Sequence, residues 1–154
     1  MDTTKFRKKF TLLYKLTKDG SNCSDFHNKC DKKGPTLVIV QSNTGYKFGG
    51  YTTVDWDQTS GYKKDELAFL FSINKNKKYP IKKGCEGNAI WCGSNYGPLF
   101  GAHDIRFYND MAKDVSNNYC NTPISYQTTE KSELTGGQYN YLVKEMEVFK
   151  VEFL

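Results

Sequence analysis

The chain has 154 residues, a formal net charge of +5 and an aromatic content of 15%, led by 11 tyrosines and 10 phenylalanines. This length predicts one domain, residues 1–154 with a core from about residue 6, while the aromatic content favours packed strands over disorder. Acidic residues are nearly as numerous as basic ones, 17 against 22, and no nucleic-acid-binding motif is present, so the charge does not indicate a nucleic-acid partner. No apolar run is long enough to span a bilayer, and the polar start lacks the pattern of a signal peptide. The sequence therefore predicts a soluble, intracellular, cytoplasmic protein that is not integral to a membrane.

The first part of the chain predicts a strand or short helix followed by a helix. Phe10 to Leu16 is an apolar and aromatic run that ends at a polar turn. Ser21 or Ser24 is placed to cap a helix that runs to about Asp31. Its buried face is expected to contain four residues at helical spacing: Cys23, Phe26, His27 and Cys30.

A β-hairpin is the clearest element of the sequence. Leu37 to Val40 is an unbroken apolar run after a Gly-Pro break, and the segment from Tyr46 to Trp56 alternates between apolar and polar residues. Ser42 to Gly45 supplies residues that tolerate a positive φ, so the two strands are expected to pair antiparallel. Gly49 and Gly50 indicate a bulge or a close approach by another backbone.

Four further strands are predicted in the rest of the chain. The first is a buried strand at 67–73, and the others lie at 89–92, near 105–108 and at 142–153. In the buried strand, Phe69 and Phe71 share a face with Leu67 and Ile73 and are expected in the core. The segment 110–123 is predicted as a long irregular surface loop. In the last strand, Met146 and Val148 lie in one phase and Phe149 in the other, which predicts a β-bulge near Val148-Phe149 or a central strand buried on both faces.

Short strands with few helices predict a mostly β (α+β) fold, a two-layer antiparallel β-sandwich with a few short flanking helices. The blocks GPTLVIV, GYKFGGYTTVDW, AFLFSI, GPLFGAHDI and KEMEVFKV, in this order from Gly34 to Val151, resemble the TLDc family of eukaryotic domains. The opening FTLLYK followed by Asp19-Gly20 is similar to the start of that family. One departure is the loop after Phe100-Gly101, which continues as Ala102-His103-Asp104 where the family usually has a glycine-rich run.

The resemblance implies two antiparallel sheets with helices around them, a link to protection against oxidative stress, and binding to the vacuolar-type proton pump (V-ATPase). The leading hypothesis is therefore a non-catalytic protein-interaction domain, without cofactor or metal, whose partner is subunits of that pump or another large complex. Loops on rigid scaffolds commonly carry binding residues. The candidate binding residues lie on the loop after the 89–92 strand: Asn95, Tyr96, Gly97, Pro98, Phe100, His103 and Asp104. The alternative for this loop is a tight connection with Phe100 in the core.

Other functions stay open at this point. Cys23, His27 and Cys30 with His103 would supply four zinc ligands, although their spacing matches no common ligand pattern. A redox or hydrolytic enzyme would use Cys30 or Cys120 with a histidine, and Asp104 as a possible orienting group. Two basic groups, from Lys5 to Lys9 and from Lys75 to Lys83, would allow contact with phosphates or lipid in a small-ligand or lipid binder.

Overall fold

The computed structural model describes residues 7–154. Residues 1–6, which include Lys5 of the first basic group, lie outside the described part. Residues 7–154 contain two α-helices, α1 (Leu16–Asp19) and α2 (Cys23–Cys30), together with short 3₁₀ helices at Glu86–Asn88, Val115–Asn117 and Glu133–Thr135. The strands are β1 (Lys8–Lys15), β2 (Thr36–Ser42), β3 (Lys47–Thr52), β4 (Gly61–Lys63), β5 (Phe69–Ser72), β6 (Lys77–Pro80), β7 (Ile90–Cys92), β8 (Leu99–Phe100), β9 (Ile105–Arg106), β10 (Tyr119–Cys120) and β11 (Val143–Phe153).

The strands form two antiparallel sheets that pack against each other. The larger sheet has the order β1-β11-β2-β3-β5-β6 and the smaller one has the order β10-β9-β8-β7-β4. Between them lies a core with large aromatic side chains, in which the Trp56 ring meets those of Phe26 and Phe100 edge to face. The indole N–H of Trp56 donates to the hydroxyl of Thr36 at 2.9 Å, so this buried polar atom is satisfied. The predicted sandwich is confirmed.

The predicted hairpin is confirmed as β2 and β3, which pair in unbroken register from Thr36↔Thr52 to Gln41↔Lys47. The glycine pair marks close approach rather than a bulge. A Cβ on Gly50 would lie 2.6 Å from the ring of Phe100, and one on Gly49 would lie 1.8 Å from the carbonyl oxygen of Val38. Both positions therefore exclude a side chain, because any Cβ there would overlap the neighbouring strand or the facing sheet.

The first strand and helix α2 agree with the sequence except at the cap. Residues Lys8–Lys15 form a strand, and the single turn of α1 follows it directly. The N-cap of α2 is Asn22 rather than Ser21 or Ser24, and its backbone N–H donates to the carboxylate of Asp25 at 3.1 Å. The expected face of Cys23, Phe26, His27 and Cys30 is buried.

The two faces of β5 are the reverse of the prediction. Leu70 is fully buried in the core, whereas Phe69 and Phe71 are half-buried on the outer face of the larger sheet. Leu67 and Ile73, which share that outer face, are 66% and 49% exposed. Both phases of this strand are apolar, so alternation alone does not indicate which one faces the second sheet.

The bulge predicted near Val148-Phe149 is present on the β1 side of β11, but its extra residue lies in the neighbouring strand. Leu12 pairs with Phe149 and Tyr14 with Val148, so Leu13 of β1 is the additional residue. On the other side, β11 pairs regularly with β2 through both residues, and a second register shift lies between Val143 and Glu145. Since β11 lies between β1 and β2, it is a central strand, with Val148 in the core and Phe149 half-buried on the outer face.

Four short strands lie in segments that the sequence does not mark as strands: β4 in the polar segment 57–66, β6 at the basic turn, β8 in the predicted loop after the 89–92 strand, and β10 in the segment 110–123. The last segment is not a surface loop throughout, because Met111, Asn118, Cys120 and Thr122 are buried. Strands of two to four residues depend on their partners, and their own patterns are too short to predict them. Within residues 7–154, none of the helices has the length and apolar character required to cross a bilayer.

Candidate functional site

The loop between β7 and β8 is folded back onto helix α2. The backbone N–H of Tyr96 donates to the carbonyl oxygen of Gly93 at 3.1 Å, which closes a turn at the Asn95-Tyr96 tip. The imidazole Nε2 of His27 lies 2.9 Å from the carbonyl oxygen of Gly93 and 2.8 Å from that of Tyr96. The tip is therefore held in place by a buried side chain from the helix.

The structure separates the seven predicted binding residues into two groups. Asn95 is exposed at the tip, and Tyr96 and His103 are half-buried at the surface. The other four are buried: Gly97, Pro98, Phe100 and Asp104. A Cβ on Gly97 would lie 3.1 Å from the Cβ of Phe107, which is a tight contact. Only the first group is placed to contact a partner.

Phe100 and Asp104 build the scaffold. Phe100 is 1% exposed and its ring centroid lies 5.4 Å from that of Trp56, as the alternative of a core phenylalanine predicts. The carboxylate of Asp104 accepts backbone N–H groups from Ile124 at 2.9 Å and Ser125 at 2.9 Å, and a third from Tyr126. Burial raises the pKa of Asp104 above its ordinary value, while these hydrogen bonds act in the opposite direction. Asp104 thus fixes the segment 124–126 and does not orient a histidine.

A group of aromatic and cationic side chains lies at the outer surface of the smaller sheet, beside the Tyr96 tip. We call it the tyrosine–arginine cluster, and its members are Tyr96, His103, Arg106, Tyr108, Tyr119 and Tyr139. The guanidinium carbon of Arg106 lies 4.8 Å from the ring centroid of Tyr119, 5.5 Å from that of Tyr108 and 5.7 Å from that of Tyr96. Three tyrosine rings therefore surround one half-buried guanidinium group.

Arg106 has unused hydrogen-bonding capacity. Its Nε is buried without a hydrogen-bond partner in the described part of the chain. No carboxylate of residues 7–154 lies within 4 Å of its guanidinium group. A guanidinium group has five N–H donors in a planar fork that suits carboxylate and phosphate. The cluster is chemically suited to contact an acidic group on a partner.

His103 links the loop to β10. Its Nδ1 lies 2.7 Å from the hydroxyl of Tyr119, whose ring stacks on that of Tyr139 at 4.9 Å. Burial lowers the pKa of His103, and the positive charge of Arg106 lowers it further. His103 has a positive φ of 73°, a conformation that few residues other than glycine adopt. Because its pKa is lowered, the imidazole is neutral near pH 7 and acts within the cluster as a hydrogen-bonding ring.

Sequence reasoning found Tyr96 and His103 but missed the other four members of the cluster. The alternation of Ile105 and Phe107 with Arg106 and Tyr108 is the signal for two of them, because it places both polar residues on the solvent face of one strand. Tyr119 and Tyr139 carry no such signal. They reach the cluster because β10 pairs with β9, which sets Tyr119 opposite Arg106, and because Tyr119 also bridges to Asn140.

The thiols of the enzymatic alternative are buried. Cys30 and Cys120 are each 0% exposed, and burial raises both thiol pKa values above the ordinary value. Burial likewise raises the pKa of Cys92 to about 11. The recorded ring-nitrogen contacts of His27 and His103 are all with oxygen atoms. A nucleophilic thiolate is disfavoured at each of these positions.

The proposed zinc ligands do not converge. Cys23, His27 and Cys30 do share the buried face of α2, but His103 lies in the tyrosine–arginine cluster. Both ring nitrogens of His27 are already in contact with oxygen atoms, Nδ1 with the Asp31 carboxylate at 2.7 Å and Nε2 with two carbonyl groups. Within residues 7–154, no three residues of the ligand types His, Cys, Asp and Glu group closely enough to hold a metal.

The fold and this surface define a β-sandwich domain that presents an aromatic and cationic cluster beside a fixed loop. The sequence profile of the TLDc domain matches residues 1–152. The chain belongs to the TLDc domain family.

The curated relatives that match this chain include proteins named MTOR-associated protein MEAK7 from several vertebrates. The mouse (Mus musculus) protein is 26% identical over 91 residues, which are 59% of this chain and 20% of the relative. The zebrafish (Danio rerio) protein is 29% identical over 62 residues, 40% of this chain and 14% of the relative. The Xenopus laevis protein is 32% identical over 66 residues, 43% of this chain and 14% of the relative. The matches thus cover a fifth or less of the length of these relatives.

Proposed function

We propose that this chain is a non-catalytic, intracellular protein-interaction domain that binds its partner through the tyrosine–arginine cluster and the Asn95-Tyr96 tip. The observation that carries the proposal is the half-buried Arg106 guanidinium group, surrounded by three tyrosine rings and without a carboxylate within 4 Å in residues 7–154. Tyrosine and arginine are enriched among the residues that dominate binding energy at interfaces. The burial of Cys30 and Cys120, the two thiols of the enzymatic alternative, supports the non-catalytic part of the proposal.

The partner that we propose is a large intracellular assembly, and the vacuolar-type proton pump is the first candidate. We also propose that this chain has a role in protection against oxidative stress. The support is family membership, since the TLDc resemblance implies both. The relatives named above are described as mTOR-associated, a property of those proteins that supports assembly with protein partners as the general role. Arg106 adds a chemical expectation, namely that the partner places an acidic side chain against the cluster.

The test is affinity capture from eukaryotic cell extract with subunits of the pump detected directly, using wild type, Tyr96→Ala and Arg106→Gln. We expect both variants to lose most of the captured pump while their thermal midpoints stay within a few degrees of wild type. The matched control is Tyr62→Ala, because Tyr62 is 41% exposed on β4 of the same sheet and lies outside the cluster. This control should retain capture.

Two results would contradict the proposal. Undiminished capture by both cluster variants would show that another surface binds the partner. Loss of capture after alkylation of native Cys85→Ala protein, with Tyr96→Ala still active, would favour the thiol-dependent alternative, because the four remaining thiols are buried and an inert buried thiol should resist the reagent.

A further inference from the structure

The outer face of the larger sheet is unusually apolar. An antiparallel sheet that faces water on one side normally has polar residues there. Here that face carries large apolar side chains, among which Phe10, Leu67 and Phe153 are 52%, 66% and 59% exposed. Half-buried Leu37, Tyr51 and Phe69 fill the space between them. A contiguous apolar patch of this kind marks a surface that another molecule or segment covers.

The patch contains a groove of about 420 Å³ that runs across the strands. Its walls come from both edges of the sheet and the strands between them, from Phe10 on β1 to Lys78 on β6. Six strands at the usual spacing of about 4.8 Å give the groove a length of roughly 24 Å. Val151 on the central strand β11 forms part of the floor and is only 4% exposed.

Each end of the groove has a lysine. At the β1 edge, the ammonium group of Lys8 lies 5.8 Å from the ring centroid of Phe153. At the β6 edge, the ammonium group of Lys78 lies 4.0 Å from that of Phe69. Neither lysine has a carboxylate within 4 Å in residues 7–154, and no acidic residue of that part lines the groove. The charge at both ends is therefore complementary to acidic groups.

The hydrogen bonding of the sheet selects the conformation of the occupant. Backbone groups of strands β11, β2, β3 and β5 are used in the ladders on both sides. An extended peptide in the groove would bury its own N–H and C=O groups without partners, which is costly. A helix satisfies these groups internally. A groove of roughly 24 Å accommodates a helix of about 16 residues, or four turns.

We propose that the groove on the outer face of the larger sheet binds an amphipathic helix of about four turns that has acidic residues at both ends of its apolar face. The apolar side chains of the helix cover Phe10, Leu67 and Phe69, while its acidic ends meet Lys8 and Lys78. This surface belongs to the opposite sheet from the tyrosine–arginine cluster and does not depend on the function proposed for that cluster. Helix-in-groove recognition of this type is a recurrent mode of peptide binding.

The test uses two synthetic 16-residue helical peptides, stapled on their outer face so that helicity is matched. Both have the same leucine and phenylalanine face, and the terminal turns carry glutamate in one and lysine in the other. Fluorescence anisotropy with the 154-residue chain should show at least about fivefold tighter binding of the glutamate peptide, since two surface ion pairs replace two repulsions. The double variant Lys8→Glu/Lys78→Glu should reverse this preference.

A second variant tests the apolar contact. Leu67→Ser should weaken binding of the glutamate peptide at least about tenfold. The thermal midpoint should not change, because Leu67 is 66% exposed and precedes β5. The matched control is Val115→Ser, a substitution at an exposed apolar residue that does not line the groove, which should bind as wild type does.

Four outcomes would overturn the proposal. Equal affinity for the two peptides would show that the lysines do not select an acidic helix. No binding of either peptide would show that the groove does not bind a helix of this kind. Flotation of the chain with phosphatidylserine vesicles, abolished by Leu67→Ser, in the absence of peptide binding would identify a membrane surface as the occupant. Concentration-dependent dimerisation in sedimentation, abolished by the same variant, would identify a second copy of the chain.

Discussion

The side chain of His27 holds the main chain of Tyr96, with Nε2 2.8 Å from the carbonyl oxygen. The same nitrogen is 2.9 Å from the carbonyl oxygen of Gly93, and Nδ1 is 2.7 Å from the carboxylate of Asp31. All three neighbours are hydrogen-bond acceptors, and a proton on Nε2 would be shared by the two carbonyl oxygens. Because His27 lies on α2, these contacts fix the proposed binding tip relative to that helix.

Removal of this contact should loosen the tip. In His27→Ala the carbonyl groups of Gly93 and Tyr96 lose their donor in a buried position, which should lower the free energy of unfolding by roughly 1–3 kcal/mol. Hydrogen exchange of the amides at 93–97 should accelerate, and capture of the partner should weaken. The control is Asn28→Ala, at an exposed residue of the same helix. Unchanged exchange at 93–97 in His27→Ala would show that the tip is held by other contacts.

Strand β5 gives a prediction about which face supports stability. Leu70 is fully buried, so Leu70→Ala should lower the free energy of unfolding by roughly 2–5 kcal/mol. Phe71 is half-buried on the outer face, so Phe71→Ala should lower the free energy of unfolding by clearly less than Leu70→Ala does. Urea unfolding of both variants measures the difference. A larger loss for Phe71→Ala would show that the outer face contributes more to the fold than the core does.

Glu133 should make stability depend on acid pH. Burial alone would raise the pKa of this carboxyl, but hydrogen bonds from Tyr79, Glu130 and Thr129 outweigh it and lower the pKa to about 2, below the ordinary 4.5. The unfolded chain therefore takes up this proton at a higher pH than the folded one, so this contribution to stability is present above pH 4.5 and declines as the pH falls towards 2. Urea unfolding of wild type and Glu133→Gln between pH 2 and 6 should show a weaker pH dependence for the variant. Parallel curves would refute this assignment.

His103 should report the charge of Arg106. Burial and the guanidinium group both lower the pKa of the imidazole below the ordinary 6.5, and Arg106→Gln removes only the second cause. The pKa of His103 should therefore rise in Arg106→Gln while staying below 6.5, as measured by NMR titration of the ring protons. Because the unfolded chain binds this proton more readily, the contribution of His103 makes the protein less stable as the pH falls below 6.5. An unchanged pKa of His103 in Arg106→Gln would show that the charge of Arg106 does not act on this imidazole.

The sequence by itself determined the elements whose signals are local. The Gly34-Pro35 break, the apolar run to Val40 and the turn at 42–45 specify a hairpin with two strands, and the spacing of Cys23, Phe26, His27 and Cys30 specifies the buried face of a helix. The ordered sequence blocks specified the family. The hairpin and helix signals depend on neighbours within a few residues along the chain, and the family signal depends on the order of the blocks along the sequence. None of them requires knowledge of distant contacts.

The tertiary structure decided which face of a strand is covered and which distant residues meet. Strand β5 is apolar in both phases, and only its place between β3 and β6, with one face towards the smaller sheet, buries Leu70 and leaves Phe71 outside. The extra residue of β11 lies at Lys144 because the pairing with β2 shifts there. Tyr119 joins Arg106 because β10 pairs with β9 across a long segment of low periodicity. Burial and pairing of this kind are properties of the assembled sheets, and a pattern of period two fixes the alternation of side chains without fixing the side that meets water.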